Sequence, residues 1–455
     1  MKSFVQPTLS LCGLLFLAGT GIDIKADDWP RFLGINADCK SAETGLLDKW
    51  PQEGPPLIWK KEVGTGYSAP SIRDGQLILH HRIKNEEVVE SMDPTNGVTN
   101  WTFRYPSNYI DPFGYNNGPR CTPILTESKC YVFGAEGRLY CIDIKSGTEI
   151  WMRDTAKDFD VPEAFFGVGS TPLLEGGKLI VMVGGQPNSG VVAFDAASGK
   201  TLWQNVGKTT WDGERKTGWR GEPYIKWQGY EKQASYASPV AATFHGRRHI
   251  LCLMRQGLVS LDPDTGKENF HFWFRATVNE SVNAMNPVVS GNNILISAAY
   301  YRVGSVLLQV MPGGRSVAEI WRSRALEVHW TTPVLHEGNL YAFSGRNEPD
   351  ARFRCVEMAT GKLLWDQDES WRKSYLGPPE KYGRGSAILA DNKLIVMGEA
   401  GLLGLFHPDP SAVKEISKFQ VPEMKYPCWT APILSNQKLY LRSESRLICY
   451  DLKAH

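Results

Sequence analysis

A nine-residue pattern recurs along the chain and restricts its fold more than any other feature. Full copies start with an acidic residue, have a glycine at the fifth position and end at an aromatic residue. They occupy residues 93–101, 143–151, 195–203, 262–270 and 357–365, and a looser copy occupies 313–321. The aromatic residue is tryptophan in every copy except 262–270, where it is Phe270. A pattern that returns at near-regular intervals is the signature of a repeat architecture.

A second repeated motif precedes the nine-residue pattern in each unit. A triplet that ends in proline recurs along the chain, and a proline-free version ends at Ala387; the prolines are Pro70, Pro123, Pro172, Pro239, Pro287, Pro333 and Pro432. An apolar residue follows each triplet after seven positions, except after Pro239, where an insertion delays it to Ile250. The triplets therefore divide the chain into eight units.

The sequence within each unit is typical of β-strands. Short β-branched and aromatic runs are bounded by turn pairs such as Asp74-Gly75 and Glu136-Gly137. We predict four antiparallel strands in each unit: an inner strand after the triplet, a second around the apolar residue, a third ending at the acidic residue, and an outer strand ending at the tryptophan. Eight such units predict an all-β fold, an eight-bladed β-propeller of four-stranded blades.

The two ends of the repeat region complement each other. Residues 57–59 resemble an outer strand with no unit before it, and 447–451 resemble a third strand with no outer strand after it. We predict that they share one blade, because this pairing closes the ring without an open sheet edge. The predicted organisation is a signal peptide over 1–26, an irregular lead-in over 27–56 on the propeller surface, and one propeller domain over 57–455.

The N-terminus has the pattern of an export signal. Lys2 precedes an apolar run over residues 9–18, and Ala26 fits a cleavage site, which predicts a periplasmic or secreted protein. The run is too short to span a bilayer, and no later segment approaches that length, so we expect no transmembrane segment. A net charge of +1 provides no field that would attract nucleic acid. We also expect a monomer.

The cysteines occupy structural positions of the repeat. Cys141, Cys355 and Cys449 lie two residues before the acidic position, where other units have small residues, and Cys130 fills an apolar position. We predict buried thiols, with a Cys130–Cys141 disulfide as the alternative that export would permit. The sequence has no C-x-x-C motif and no metal-spaced Cys/His set, so we predict no metal site of the zinc type.

The residues directly before the inner strands are the candidate functional residues. Because successive strands alternate in direction, these residues should ring one mouth of the central channel; they are Tyr67, Arg120, Gly169, Tyr236, Asn283, His329, Trp330, Arg384 and Trp429. Two arginines among aromatic rings predict a site for a flat anionic ligand. The alternative is that the side chains only cap the channel. We expect the arginines to stay partly hydrated, so that their loss perturbs folding little. The long loop 204–235 is a second candidate surface.

The repeats resemble those of pyrroloquinoline quinone (PQQ) proteins. The shared features are the acidic-x-x-Ser/Thr-Gly-x-x-x-Trp pattern, found over nearly the whole chain after residue 28, and the Trp-Pro-Arg-Phe-Leu-Gly lead-in at 29–34, which is similar to that of secreted PQQ-like propellers of planctomycete-type bacteria. The family includes quinoprotein dehydrogenases and the propeller lipoprotein of the outer-membrane assembly machinery. The resemblance implies the fold and leaves the activity open, because the repeated residues hold blades together.

Two classes of function follow from this resemblance. In the first, which we favour, the protein is a non-catalytic binding or scaffold module that presents its channel mouth to a protein or to a small anionic or glycan ligand. In the second, it is a PQQ- and Ca²⁺-dependent dehydrogenase that oxidises an alcohol or sugar; no motif assigns a calcium-binding set, and Asp111, Glu163 and Asn283 are candidate ligands by position alone. The chain lacks both the adjacent cysteines of some family enzymes and a C-x-x-C-H haem motif.

Overall fold

The structure, a computed structural model, describes residues 28–161, 166–185, 188–206, 235–276, 281–371 and 380–454, together with the backbone of 214–216 and 224–226. The predicted signal peptide and most of the loop 204–235 lie outside the described residues. Eight four-stranded antiparallel sheets follow one another and form an eight-bladed β-propeller. The prediction of fold class is therefore confirmed.

Each of the first seven blades uses four consecutive strands, numbered from the inner strand outwards. Strand β1 (Leu57–Glu62) precedes them. Blade 1 contains β2 (Ser71–Arg73), β3 (Gln76–Ile83), β4 (Glu86–Met92) and β5 (Thr99–Pro106). Blade 2 contains β6 (Ile124–Leu125), β7 (Lys129–Phe133), β8 (Arg138–Asp143) and β9 (Glu149–Asp154), followed by the one-turn helix α1 (Thr155–Asp158). Blade 3 contains β10 (Leu173–Glu175), β11 (Lys178–Val181), β12 (Val191–Asp195) and β13 (Thr201–Asn205).

A two-stranded ribbon, β14 (Glu214–Lys216) and β15 (Tyr224–Lys226), separates blades 3 and 4. Blade 4 contains β16 (Val240–Phe244), β17 (Arg247–Leu253), β18 (Gly257–Leu261) and β19 (Glu268–Trp273). Blade 5 contains β20 (Val288–Ser290), β21 (Asn293–Ala298), β22 (Gly304–Val310) and β23 (Val317–Ser323). Blade 6 contains β24 (Val334–His336), β25 (Asn339–Ser344), β26 (Arg352–Glu357) and β27 (Leu363–Asp368). Blade 7 contains β28 (Ser386–Ala390), β29 (Lys393–Met397), β30 (Leu402–His407) and β31 (Lys414–Gln420).

Blade 8 is built from both ends of the chain. Its inner three strands are β32 (Ile433–Ser435), β33 (Lys438–Arg442) and β34 (Arg446–Asp451), and its outer strand is β1. Strand β1 pairs antiparallel with β34, which places Trp59 opposite Cys449 and Lys61 opposite Leu447. The predicted closure is confirmed, and it leaves neither terminus as an open edge in this blade.

The repeated tryptophans lie within the outer strands rather than at their ends. Trp151 is the third residue of β9, and the strand continues to Asp154, so the prediction that each outer strand ends at the tryptophan is wrong. A β-bulge places the tryptophan directly opposite the small residue of the preceding strand, as in the pairs Cys141–Trp151 and Ala193–Trp203. A small side chain is required there because the two residues share one face of the sheet. The eight cysteines of the described chain are buried and free.

Each tryptophan joins its blade to the next blade around the ring. The ring of Trp151 lies over Gly199 of blade 3, where an added Cβ would come within 2.8 Å of the indole. Gly199 also has a φ of +71°, so the position favours glycine on both counts. The indole nitrogen donates to a backbone carbonyl of the same turn, 3.2 Å away at Ala196. The same bond joins other blades: Trp59 to Pro94, Trp101 to Ile144, Trp203 to Pro263, Trp321 to Met358 and Trp365 to Asp409.

Substitution of Trp203 by phenylalanine should measure this indole bond. Trp203→Phe retains an aromatic ring and loses the 3.0 Å bond to Pro263, as in blade 4, where Phe270 occupies the equivalent position. We expect the free energy of unfolding to fall by about 1 kcal/mol, the usual net contribution of one hydrogen bond, plus the smaller cost of the reduced ring. Urea denaturation of the variant and the parent measures the difference. Equal stability would show that the bond contributes nothing to the blade contact.

The lead-in crosses the central channel and is not confined to the surface. Trp29 pairs with Ile72 of the inner strand β2, and the Pro30 carbonyl accepts a hydrogen bond from Leu125 of β6. Two blades away from blade 1 around the ring, in blade 7, Cys39 and Ser41 flank Leu389 of β28 through two backbone hydrogen bonds. The apolar side chains of the segment are buried, including Trp29, Leu33, Cys39, Leu46 and Trp50. The prediction of a surface lead-in is therefore wrong, because inner-strand edges and apolar side chains both gain partners inside the channel.

The lead-in also occupies a seam where the repeat is incomplete. In blade 7 the position of the repeated tryptophan is held by Ser417, which lies opposite Leu405 at the bulge. The backbone nitrogen of Trp50 donates to the Ser417 hydroxyl at 3.0 Å, and the Trp50 side chain is buried there. The backbone of a residue from outside the repeat thus contacts the position where the repeat lacks its tryptophan.

Candidate functional site

The start of each inner strand places the preceding residue at one mouth of the channel. The prolines fix the backbone just before the inner strands, as Pro70 does before Ser71. Of the nine predicted mouth residues, all except Gly169 and Asn283 bring a side chain to the lining of one cavity of about 210 Å³: Tyr67, Arg120, Tyr236, His329, Trp330, Arg384 and Trp429. Gly169 also lines it, and an added Cβ there would lie 2.6 Å from the Tyr236 ring.

Aromatic side chains form most of the cavity wall. Trp429 lies at its centre, with ring centroids 5.2 Å from Tyr67, 5.5 Å from Tyr115 and 6.0 Å from Trp330. Such distances are those of tilted aromatic pairs, which hold each other in fixed orientations. The wall is therefore a preorganised apolar surface that remains open on the mouth side.

Four aromatic residues that line the cavity were not predicted from the sequence. Tyr115 and Phe166 belong to interblade loops, Tyr300 lies in the loop between β21 and β22, and Phe32 comes from the lead-in. The sequence could have indicated the loop around Tyr115, because its length and composition are unusual for an interblade connection. Nothing in the sequence indicated Phe32, because the path of the lead-in through the channel leaves no recognisable sequence pattern.

Arg120 is held by its own loop. Its Nη2 donates to Asp111 Oδ2 at 2.6 Å and to the Asn116 carbonyl at 3.2 Å, and Nη1 donates to the Gly118 carbonyl at 3.1 Å. The Asp111 side chain is fully buried, and the guanidinium lies 5.8 Å from the Tyr67 ring centroid. This arginine therefore organises the rim loop that contains residues 107–120, and its charge is already paired.

Arg384 is held even more completely. Its Nη2 donates to Glu399 at 2.8 Å and to Glu348 at 3.1 Å, Nε donates to Glu399 at 3.1 Å, and Nη1 donates to the Arg346 carbonyl at 2.7 Å. Burial lowers the pKa of Arg384, but the charges of Glu399 and Glu348 outweigh burial and raise it above its ordinary value. Glu399 is itself fully buried and also accepts a 3.0 Å bond from the Trp429 indole.

The expectation that the two arginines stay partly hydrated is wrong. Their side chains are only 10% and 8% exposed, and each is paired with a carboxylate that is fully buried. Burying a carboxylate without a partner costs much more than burying a paired one. The sequence could not reveal the pairing of Arg384, because Glu399 and Glu348 lie in loops outside the repeat pattern.

His329 provides a neutral polar group in the cavity. Burial, together with the charges of Arg384 and Arg346, lowers the pKa of His329 to about 3, so the imidazole is uncharged at neutral pH. Its ring contacts Tyr300 edge-on at 5.2 Å. Among the described residues that line the cavity, Nδ1 of His329 is the one buried side-chain nitrogen or oxygen without a hydrogen-bond partner.

Asn283 does not reach the cavity, which corrects its predicted place in the site. Its side chain is fully buried within blade 4, where Nδ2 donates to the carbonyls of Met254 and Phe274, both at 2.9 Å. Its neighbours Val282 and Ala284 line the cavity instead. The amide side chain turns away because it satisfies backbone carbonyls that would otherwise be buried without donors.

The described residues at the mouth do not fit a PQQ–calcium site. In the described parts of the chain, no group of three or more His, Cys, Asp or Glu side chains is arranged to hold a metal ion. Asp111 is engaged by Arg120, Asn283 bonds to backbone carbonyls, and Glu163 lies outside the described residues. Both arginines of the cavity are already paired with carboxylates, so neither is left to pair with a polycarboxylate quinone.

These features define a β-propeller of PQQ-type repeats with an aromatic cavity at one channel mouth. The chain belongs to the PQQ_2 family, described as outer membrane protein assembly factor BamB, whose sequence profile matches residues 84–367. No curated protein matches the sequence.

Similar solved structures agree with the fold. Quinohemoprotein alcohol dehydrogenase from Comamonas testosteroni superimposes with a TM-score of 0.61 at 14% identity, covering 94% of this chain and 81% of that one. BamB from Moraxella catarrhalis gives 0.55 at 15% identity, covering 87% and 99%. A europium-containing methanol dehydrogenase gives 0.56 at 12% identity, covering 95% and 99%. At these identities the likeness shows the fold alone.

Within the residues that the structure describes, no helix is long and apolar enough to cross a membrane.

Proposed function

We propose that this protein is a binding propeller that captures a partner at its channel mouth. One observation carries the proposal: aromatic side chains from several blades converge on an open cavity of about 210 Å³. Concave, mostly apolar sites with a few fixed polar groups are the usual form of a ligand-binding site. We further propose that the protein is exported and acts as a monomer, as the N-terminal pattern and the single-chain ring suggest.

The rim of the cavity supports capture of a macromolecule. Ile110, Phe113 and Tyr115 of the rim loop are 75%, 55% and 45% exposed. Clusters of exposed apolar side chains beside a pocket are typical of protein-interaction surfaces. Trp and Tyr are also enriched among the residues that contribute most of the free energy at such surfaces. The family description as an assembly factor points to the same class of function.

A ligand screen tests this proposal against the dehydrogenase alternative. The immobilised protein is presented with a peptide library, a glycan array, and PQQ with and without Ca²⁺. We expect hits in the peptide library and no saturable binding of PQQ in either condition. Saturable, Ca²⁺-dependent PQQ binding with oxidation of an added alcohol or sugar would replace the binding proposal with the dehydrogenase.

A further inference from the structure

The rim of the mouth carries three arginines in addition to the two that line the cavity. Arg302 lies in the loop between β21 and β22, Arg324 between β23 and β24, and Arg346 between β25 and β26. The first two loops also contain Tyr300 and Trp330, which line the cavity. The third loop reaches the same wall, because Arg346 packs on Tyr300. These three residues are called the arginine patch below.

Arg346 is held in place by aromatic rings rather than by a carboxylate. Its guanidinium lies 4.3 Å from the ring centroid of Tyr300 and 5.1 Å from that of Tyr301. An arginine that stacks on aromatic faces keeps its charge and its hydrogen-bond donors. Because Tyr300 lines the cavity, this cation stands directly beside the cavity wall.

Arg302 and Arg324 extend the patch along the same rim, and both side chains are exposed. Arg302 follows Tyr301, and the two residues have left-handed φ angles of +59° and +51°. Such angles are uncommon for residues other than glycine and cluster at binding and active sites. A Cβ added to Gly304, at the start of β22, would lie 3.3 Å from Cγ of Arg324. The two arginines are therefore neighbours.

The patch has more positive than negative charge. Within the described chain Arg302 pairs with Glu327 at 3.3 Å, and the other two arginines form no ion pair. The remaining carboxylates of these loops are Asp350, which pairs with none of the three, and Glu348, which is bound to Arg384. A guanidinium without a carboxylate gains from one that a ligand supplies. The patch therefore favours acidic groups.

The opposite side of the mouth is apolar. The exposed side chains of Ile110 and Phe113 belong to the rim loop between blades 1 and 2, whereas the patch lies on blades 5 and 6, half-way round the eight-bladed ring. The aromatic cavity lies between them. A ligand that spans the mouth meets an apolar edge, an aromatic cavity and a cationic edge in turn.

The cavity has room for one side chain of such a ligand. A dry apolar cavity of about 150 Å³ holds a benzene molecule, and the cavity at the mouth measures about 210 Å³. It therefore holds a group somewhat larger than a single six-membered ring, which is too little for the paired acyl chains of an anionic phospholipid. A polypeptide, in contrast, carries single apolar side chains and carboxylates a few residues apart.

We propose that the partner is an acidic polypeptide segment, whose carboxylates bind the arginine patch while a nearby apolar side chain enters the cavity. This inference rests on the proposed function and names the class of partner for the same mouth. Arg120 and Arg384, which the sequence indicated for anion recognition, are occupied by buried carboxylates. Recognition of the anion therefore falls to the rim.

Fluorescence anisotropy with three matched peptides tests the proposal. Each labelled peptide has two phenylalanines, a glycine spacer and three further residues, which are all glutamate, all glutamine or all lysine. We expect the glutamate peptide to bind the parent protein about tenfold more tightly than the glutamine peptide, roughly twofold for each of three partly exposed ion pairs. The lysine peptide should bind most weakly. High salt should reduce the preference, because it screens exposed charges.

Variants of the patch and of the cavity should act differently. Arg302→Gln/Arg324→Gln/Arg346→Gln should bind the glutamate and glutamine peptides equally, because the charges that distinguish them are gone. Trp330→Ala should weaken both peptides and keep the preference, because it removes an apolar contact and leaves the charges in place.

A second triple variant controls for the change in net charge. Arg247→Gln/Arg248→Gln/Arg315→Gln removes three arginines at the start of β17 and in the turn before β23, at the ends of blades 4 and 5 that face away from the mouth. It should keep the tenfold preference of the parent. Loss of the preference in this control would show that net charge, and not the patch, selects the peptide.

The other outcomes separate the two levels of the inference. Equal binding of the glutamate and glutamine peptides by the parent, or tighter binding of the lysine peptide, would overturn the acidic partner without any variant. Patch-dependent sedimentation with phosphatidylglycerol vesicles, without the peptide preference, would replace the polypeptide by a lipid. If no peptide binds while hits from the library screen depend on Trp330, the acidic inference fails and the binding function stands. If the hits do not depend on Trp330, both fail.

Discussion

Removal of the Arg384 side chain should lower the free energy of unfolding more than removal of a residue from an exposed ion pair. Arg384→Ala leaves Glu399, a fully buried carboxylate, without its cation, although it keeps the bond from the Trp429 indole. Breaking a buried pair by removing one partner costs about 3–5 kcal/mol, because the remaining charge is left uncompensated. We expect a loss of this size in the free energy of unfolding measured by urea denaturation.

Two further variants make this prediction specific. Arg104→Ala removes one partner of a pair whose side chains are 44% and 49% exposed, and we expect a change within about 0.5 kcal/mol. The double variant Arg384→Ala/Glu399→Gln removes the stranded charge and should recover part of the loss. If Arg384→Ala costs no more than Arg104→Ala, the pair with Glu399 does not hold the mouth together.

Deletion of residues 57–62 should have an effect at least as large. It removes strand β1, and with it the buried ring of Trp59 and the bond from its indole to Pro94 of blade 1. Loss of a buried tryptophan ring alone costs about 3–5 kcal/mol, and the deletion also leaves the edge of β34 unpaired. We expect a sharp fall in the melting temperature, which scanning calorimetry measures.

A transplant of the same six residues supplies the control. In this variant residues 57–62 are replaced at their native position by a long flexible glycine-rich linker, and the six-residue strand is attached behind residue 454 through a glycine-rich turn. The strand can then pair with β34 again, so we expect most of the lost stability to return. An unchanged melting curve after the simple deletion would contradict closure of the ring through blade 8.

The repeat made the fold predictable because the repeated positions have a local physical cause. Gly199 is required by the close approach of Trp151, and Cys141 is small because it lies opposite the same tryptophan. Such requirements recur in each blade, so they are visible in the sequence as a period. The positions of the mouth residues followed from the same period, which is why most of them converge on one cavity.

The features that the sequence did not predict come from segments outside the period. Glu399 and Glu348 reach Arg384 from loops, and nothing in their spacing marks them as its partners. The lead-in has no periodicity, so its path through the channel depends on inner-strand edges that exist only in the assembled ring. For the same reason the sequence predicted two arginines available to bind an anion, whereas in the structure both arginines are paired with carboxylates beside an aromatic cavity.

The affinity of a Trp330→Ala variant for a screened peptide tests the central claim most directly. Trp330 lines the cavity and packs on Trp429 at 6.0 Å. If the mouth captures the partner, the dissociation constant should rise at least about 30-fold, as for an aromatic residue that contributes about 2 kcal/mol to an interface. Lys438→Ala, at the start of β33 and away from the mouth, should bind like the parent. Unchanged affinity in Trp330→Ala, with the variant folded, would show that the partner binds elsewhere on the propeller.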